Sequence, residues 1–247
     1  LTYFKGVSLH YATYRFVFFT LNSLVNNRML TVLPYNLNKD LINGAKKHLD
    51  HFLTFRTALN EKSGDFFYDP WIIKEEFKGT CFEQLLNSID TGIGEARVVA
   101  LESMTCYTKH ADIDDRFHLN LFGDGGYLLD LTNNKVYPLT QDAKWYEMNA
   151  GNIHTAVSCG EHTRYQLVVR KLLKQNMLTD PISVEIQLDG NNPRFKFDNS
   201  ISPWLNYANK NSIINKFSAS NTGCSFDVEK KHLSHLKSIL PKGLKIV

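Results

Sequence analysis

The sequence predicts a mainly β protein with flanking helices, folded as a double-sheet jelly roll of cupin-like type, a double-stranded β-helix. Three observations predict it. Short runs alternating apolar and polar residues succeed one another from about 95 to 170, Gly-, Asn- and Asp-rich turns separate them, and apolar residues at helical spacing concentrate before and after that zone.

In chain order, the run Phe16 to Leu21 has the length of a core strand or a short helix. Residues 41–49 repeat apolar side chains at helical intervals after Asn38, Lys39 and Asp40, which can cap a helix start. Pro70 ahead of Trp71, Ile72, Ile73 and Phe77 predicts a second helix with proline in its first turn, and residues 81–89 predict a third. Such helices would brace the outer sheet. Residues 95–103 read as a strand that continues through 104–109, and 116–121 alternate as the next strand. After the turn at 122–126, the stretches 127–131, 135–139 and 144–148 are short strands, separated by Thr132-Asn133-Asn134 and by Gln141-Asp142. A turn at Ala150-Gly151-Asn152 precedes His154, and 165–170 form the closing strand. Residues 189–193 and 200–203 break the chain before an amphipathic helix over 229–240. Its Leu233, Leu236 and Leu240 share one face, suited to a packed lid or a homodimer contact. With 247 residues, of which 43% are hydrophobic, one large core is expected. The chain is read as a single domain: 1–95 as support, 96–170 as the jelly-roll core and 171–247 as a C-terminal extension.

Charge and cysteine usage narrow the function classes. The net charge of +3 is mild and no arginine stripe is interleaved with aromatics, so no nucleic-acid partner is required. No apolar run reaches the roughly 18 residues of a membrane span. The four cysteines, Cys81, Cys106, Cys159 and Cys224, form no C-x-x-C pair, which favours a reducing compartment and a cytoplasmic location. Cys106 and Cys159 read as buried structural thiols.

The chemistry-bearing pattern is His110-Ala111-Asp112, with His154 42 residues after Asp112 and Arg164 ten residues after His154. Along a strand, residues i and i+2 point to one side, so His110 and Asp112 can reach one ion, with the third ligand from a distant strand. Two imidazoles and a carboxylate occupy one face of an octahedral Fe(II), leaving positions for an oxidisable cosubstrate and O2. Arg164, a permanently charged planar fork, suits the carboxylate of an acid cosubstrate. Arg116 and His118 share a strand face and, if it points inward, add positive charge beside that ligand. The alternatives are a salt bridge from Arg116 to Asp114 or Asp115 and a satisfied core histidine at His118. Tyr107, Phe117, Tyr127, Trp145 and Tyr165 are candidate pocket walls by position, with ordinary core the default reading for each.

Positions 96–170 resemble the aspartyl/asparaginyl β-hydroxylase branch of the Fe(II)/2-oxoglutarate oxygenases, a branch that includes bacterial free-proline hydroxylases. The resemblance lies in Ala96-Arg97, Leu101, Thr105 and His110, in Arg116-x-His118-Leu119, and in the stretch from Trp145 through His154 to Val157 with Arg164 following. It implies Fe(II) held by His110, Asp112 and His154, 2-oxoglutarate held by Arg164 with Arg116 and His118, and O2 as co-reactant. The implied reaction is hydroxylation of an amino acid, free like proline or an Asp, Asn or Pro residue in a peptide, with release of succinate and CO2. The competing expectation is a cupin-like metal-dependent enzyme or binding protein that uses no 2-oxoglutarate.

Overall fold

In the computed structural model, residues 28–34, 36–49, 56–187, 201–219, 223–240 and 244–246 are described. The run from 16 to 21 and the break at 189–193 lie outside them. The N-terminal part contributes β1 (Leu30–Val32), α1 (Lys39–Lys46), β2 (Arg56–Ala58), β3 (Asn60–Lys62), β4 (Trp71–Ile73) and α2 (Cys81–Asn87). The middle contributes β5 (Ile93–Leu101), β6 (Thr105–Cys106), β7 (Arg116–Phe122), β8 (Gly126–Asp130), β9 (Lys135–Pro138), β10 (Tyr146–Met148), β11 (His154–Ser158) and β12 (Arg164–Lys171). The C-terminal part contributes β13 (Pro181–Gln187), α3 (Ser202–Lys210), β14 (Ile214–Ala219), β15 (Gly223–Glu229), α4 (Leu233–Ile239) and β16 (Lys245–Ile246).

The protein is mainly β and its strand pairs are antiparallel. One sheet runs β1-β10-β7-β12-β5-β2, another β6-β11-β8-β9. From β5 to β12 the chain passes from one of these sheets to the other at nearly every step, with β8 and β9 the hairpin that stays in the smaller sheet. Leu30, Leu101, Tyr146 and Met148 of the larger sheet pack with Leu128 and Ala156 of the smaller, so the two face each other across one core. The opposite face of the larger sheet, with Ala96, Val98, Phe117, Leu119, Leu121, Leu167 and Val169, is covered by Ile42, Ala45, Phe82, Leu85 and Leu86 of α1 and α2.

Helix α1 starts where its capping residues predict: the Asn38 side chain accepts from Asp40 N at 2.8 Å. Helix α2 starts at Thr80, whose hydroxyl accepts from Phe82 N. The helix predicted after Pro70 is a correction. Trp71–Ile73 pair as β4 with Asn60–Lys62, and only a single 3-10 turn follows at Glu75–Phe77. Consecutive β-branched isoleucines lose rotamer freedom in a helix and pack well on a pleated surface, and here a partner strand was available.

Beyond β12 the chain does more than extend. β14-β15-β13-β16 form a separate sheet, and Val184, Ile186, Ile201, Trp204, Leu205, Phe217, Phe226 and Leu236 build a core of their own. The expected break at 200–203 is instead the start of α3, with proline in its first turn, where its missing N–H costs nothing. Of the predicted terminal helix, 233–239 are α-helical, Leu236 is fully buried, and Leu233 and Leu240 pack around it. No helix among the described residues is long and apolar enough to cross a membrane.

Candidate metal centre

The alternation of β7 sends Phe117, Leu119 and Leu121 outward to the helices. Arg116, His118 and Asn120 therefore face the space between the sheets. Neighbouring strands repeat this, since Gln166 pairs with Asn120 and Val168 with His118 across the β12 ladder, and Tyr146 pairs with His118 across β10. Arg116, Asn120, His154, Arg164 and Gln166 are all buried, so polar groups line the interior of a sandwich whose outer face is apolar. Buried polar groups cost free energy unless partnered. Asn120 and Gln166 satisfy each other, and Asn120 also donates to Thr140 O.

His110 and His154 stand opposite one another as an antiparallel pair that exchanges both backbone hydrogen bonds, at 2.9 and 2.8 Å. The second histidine comes from a strand distant in sequence, β11, which pairing with β6 brings beside His110. Each ring has its Nδ1 tied to a carbonyl two residues earlier: His110 to Thr108 O at 2.9 Å and His154 to Asn152 O at 2.7 Å. A ring donating from Nδ1 presents a lone pair at Nε2. Both Nε2 atoms face Asp112 Oδ2, at 3.9 and 3.8 Å, too long for direct hydrogen bonds. One ligand atom from each of the three lies within 4.8 Å of the others. The spacing suits an ion shared between them, and the donor set matches ferrous iron. Burial drives the His154 imidazole down to about 4, against the attraction of Asp112, so it is neutral and able to ligate at neutral pH. Burial by itself would raise the Asp112 carboxyl, but the charges of Arg116, His154 and His110 outweigh it and hold it well below the usual carboxylate range.

Asp112 is held in place by its neighbours. Its Oδ1 pairs with Arg116 Nη2 at 2.8 Å, which leaves Oδ2 for the ion. Arg116 also contacts Asp114 at 2.7 Å, and Asp114 in turn holds Arg170 at 2.5 Å. Arg116 is thus engaged by carboxylates of the chain itself, including the Asp114 pairing that the sequence left open. Behind His154, the Asp130 carboxylate accepts from Thr132 N, Asn133 N and the side chains of Asn133 and Asn152, fixing the turn whose carbonyl orients the ring.

Arg164 is the first residue of β12, 2% exposed, and no carboxylate among the described residues lies within ion-pair distance of it. Among the described residues its Nε has no hydrogen-bond partner, and Nη1 donates to Val157 O at 3.4 Å. Burial draws its guanidinium down to about 10, opposed by Tyr107, so at neutral pH it is a buried cation in want of an anion. Room for it is made by Gly126: a Cβ there would lie 2.7 Å from Arg164 Cδ and 3.1 Å from Nη1. Ser158 pairs with Gly126 across the ladder, and its fully buried hydroxyl has no hydrogen-bond partner among the described residues. Gly126→Ala is expected to displace the guanidinium and weaken binding of a dicarboxylate while changing the melting temperature little, because the clash falls on a flexible stem. Calorimetric titration alongside thermal denaturation checks both halves.

His118 lies in electrostatic reach of Arg116 and His154 at the ligand cluster and of Arg164. Burial pushes its imidazole down to about 3, assisted by the charges of Arg116, His154 and Arg164. Its Nε2 is buried, with no hydrogen-bond partner among the described residues. A histidine held neutral in the fold but ordinary when unfolded binds more protons in the unfolded state between the two pKa values. Stability is therefore complete above about pH 6.5 and is lost as pH falls toward about 3. Urea unfolding from pH 7 to pH 4 is expected to show this loss and His118→Phe to reduce it; equal slopes in both proteins would contradict the assignment.

Of the aromatic candidates, Phe117, Trp145 and Tyr165 belong to the core beneath the helices and Tyr127 is partly exposed. Tyr107 packs at the inner core, and burial raises its phenol against the opposing charges of Arg164, Arg56 and Arg97. Cys106 and Cys159 are exposed, a correction to their reading as buried thiols, since Cys106 ends the two-residue β6 and Cys159 lies just beyond the end of β11. Ser158, Asp130 and Arg170 were not singled out from sequence. The acidic run Asp112-Ile113-Asp114-Asp115 ahead of Arg116 was the one available signal for the clamp.

No family model and no curated protein matches this chain. Among solved structures it is similar to the viral collagen prolyl hydroxylase vCPH of Paramecium bursaria Chlorella virus-1 in its 2OG complex. That match has 11% identity, covers 60% of this chain and 98% of that one, and has a TM-score of 0.40. A Pseudomonas putida prolyl-4-hydroxylase matches at 14% identity over 59% of this chain and 88% of its own, TM-score 0.40. A Trichoplax adhaerens prolyl hydroxylase, solved with a hypoxia inducible factor oxygen degradation domain peptide fragment, matches at 10% identity over 60% and 84%, TM-score 0.39.

Proposed function

We propose that this protein is an Fe(II)- and 2-oxoglutarate-dependent oxygenase that hydroxylates an amino acid, free or within a peptide. The observation that carries the reading is a buried Arg164, with no carboxylate partner among the described residues, in the same sandwich as three convergent candidate ligands, His110, Asp112 and His154. A metal site alone fits many chemistries; a metal site with an uncompensated guanidinium fits one that needs an acid cosubstrate. The alternation of β5 to β12 between two facing sheets supports a double-stranded β-helix as the scaffold.

In this reading His110, His154 and Asp112 hold the iron, which when bound supplies O2 activation coupled to oxidative decarboxylation of 2-oxoglutarate to succinate and CO2. Arg164 pairs with the distal carboxylate of the ketoacid, and the Ser158 hydroxyl is free to donate to the same group. Arg116 fixes Asp112 and keeps it anionic. Neutral His118 offers an uncharged hydrogen-bonding nitrogen between the two ends. Partial exposure of His110 and Asp112 gives substrate a route to the open positions.

The test is succinate formation from 2-oxoglutarate, with Fe(II), screened against free amino acids with proline, aspartate and asparagine first, then peptides containing them. Stimulated turnover with a one-oxygen mass gain on the stimulating compound is expected. A metal-loaded protein that neither binds nor consumes 2-oxoglutarate would remove the proposal in favour of a cupin-like metal protein.

A further inference from the structure

The two backbone segments that carry the metal ligands, 110–115 and 149–154, are both gripped by one face of α3, a helix of the C-terminal unit. Asn206 and Lys210 are four residues apart and so share a helical face. Asn206 Nδ2 donates to Asp115 Oδ1 at 3.2 Å and Lys210 Nζ pairs with Asp115 Oδ2 at 2.9 Å. Lys210 Nζ also donates to Asn149 Oδ1 at 2.9 Å. Asp115 Oδ1 accepts from Ala150 N at 3.2 Å, and Asp112 N donates to Ala150 O at 2.8 Å, so the segments are tied to each other at the place where the helix holds both. Fit is close: a Cβ on Gly151 would lie 2.6 Å from Asn206 Oδ1. Between Asp112 and Asp114 the chain turns Ile113 into the C-terminal core, among residues that include Ile201, Trp204, Leu205 and Ala208.

We infer that α3 is a positioning element for the metal centre: Asn206 and Lys210 set the separation between the His110/Asp112 segment and the turn that presents His154. The inference rests on the metal reading above and deepens it. Three ligands that must meet at one ion within a few tenths of an ångström need their backbones fixed relative to each other, and residues that support ligands typically affect metal affinity by about 10–100-fold. In the two ligand segments, the polar face of α3 meets one carboxylate, Asp115, and one amide, Asn149. Removing the polar heads of Asn206 and Lys210 therefore loosens the bite without removing a ligand.

The experiment is anaerobic titration of the full chain with Co2+, read by its visible absorption, together with thermal denaturation of the metal-free protein. The proteins are the unmodified chain, Lys210→Ala, Asn206→Ala, Lys210→Arg, and Leu236→Ala, which disturbs the C-terminal core away from these contacts. Lys210→Ala and Asn206→Ala are expected to bind Co2+ at least about tenfold more weakly with an altered spectrum. Lys210→Arg should recover most of the affinity, and Leu236→Ala should lower the melting temperature while its folded form keeps the original affinity and spectrum. Unchanged affinity in Lys210→Ala and Asn206→Ala, or equal loss in Leu236→Ala, overturns the inference. Failure of the unmodified chain to bind Co2+ would instead overturn the metal reading on which it stands.

Discussion

Asp112→Ala is expected to reduce divalent metal affinity by more than about 100-fold, beyond what a merely supporting residue loses, and to abolish any oxygenase activity. Asp112 Oδ2 faces both imidazole Nε2 atoms and is the single anionic donor of the set. Two neutral imidazoles left behind keep a weak hold on soft divalent ions and little on Fe(II) or Mn2+. The variant should remain folded, because Arg116 retains its contact with Asp114. Asp112→Asn is the sharper comparison: it preserves shape and removes charge, so it should lose nearly as much affinity. Metal titration with far-ultraviolet circular dichroism checks both. Asp112→Ala that binds Fe(II) as tightly as the unmodified protein would mean that the ion, if any, sits elsewhere.

Arg164→Met is expected to weaken 2-oxoglutarate binding about ten- to hundredfold or more and to leave metal content unchanged. A charge-assisted pair contributes roughly 1.5–3 kcal/mol, and each 1.4 kcal/mol is about tenfold in Kd. Methionine fills the space of the arginine stem and removes the cation. Since that cation is buried without a carboxylate partner among the described residues, its removal should not destabilise the fold and can stabilise it. Loss of ketoacid affinity with an unchanged or raised melting temperature is the signature of a ligand-binding charge, distinct from that of a structural ion pair. Arg164→Lys should recover only part of the affinity, because an ammonium cannot reproduce the planar two-point contact. Unchanged 2-oxoglutarate affinity in Arg164→Met would leave the cupin-like reading in its place.

The candidate ligands His110, Asp112 and His154 could be named from the chain, as a His-x-Asp and a histidine after a Gly-Asn turn, and the structure brings one ligand atom from each within 4.8 Å of the others. The strand expected over 104–109 is a correction: only Thr105–Cys106 pair, as β6, and His110 meets His154 through an isolated bridge, so strand alternation is not what brings His110 and Asp112 to one side. Alternation made β5, β7 to β10 and β12 readable to within a few residues, while β11, which begins at His154, was not read as a strand. What the sequence did not display is pairing over long separations. The Asn206 contact with Asp115 spans 91 residues, and nothing at either position distinguishes it from ordinary surface polarity. Arg164 could be picked out from sequence, but the lack of a carboxylate within ion-pair distance of it among the described residues depends on where those carboxylates fold. Asp114, the candidate partner named for Arg116, indeed holds it, and Asp112 does so too. The helix expected after Pro70 failed because local spacing fits a helix while the residues themselves prefer the partner strand β3. In the C-terminal part, Ile182, Val184 and Ile186 alternate as a strand should, yet the proline and asparagine clusters around them drew attention to breaks.

The most direct measurement of the central claim is X-ray absorption of the anaerobic Fe(II)-loaded protein, alone and with 2-oxoglutarate. One iron per chain is predicted, with two imidazoles and oxygen donors in its shell, and a shell that changes on adding 2-oxoglutarate to the unmodified protein. A shell without imidazole scattering, or an identical spectrum in His154→Ala, would contradict the account.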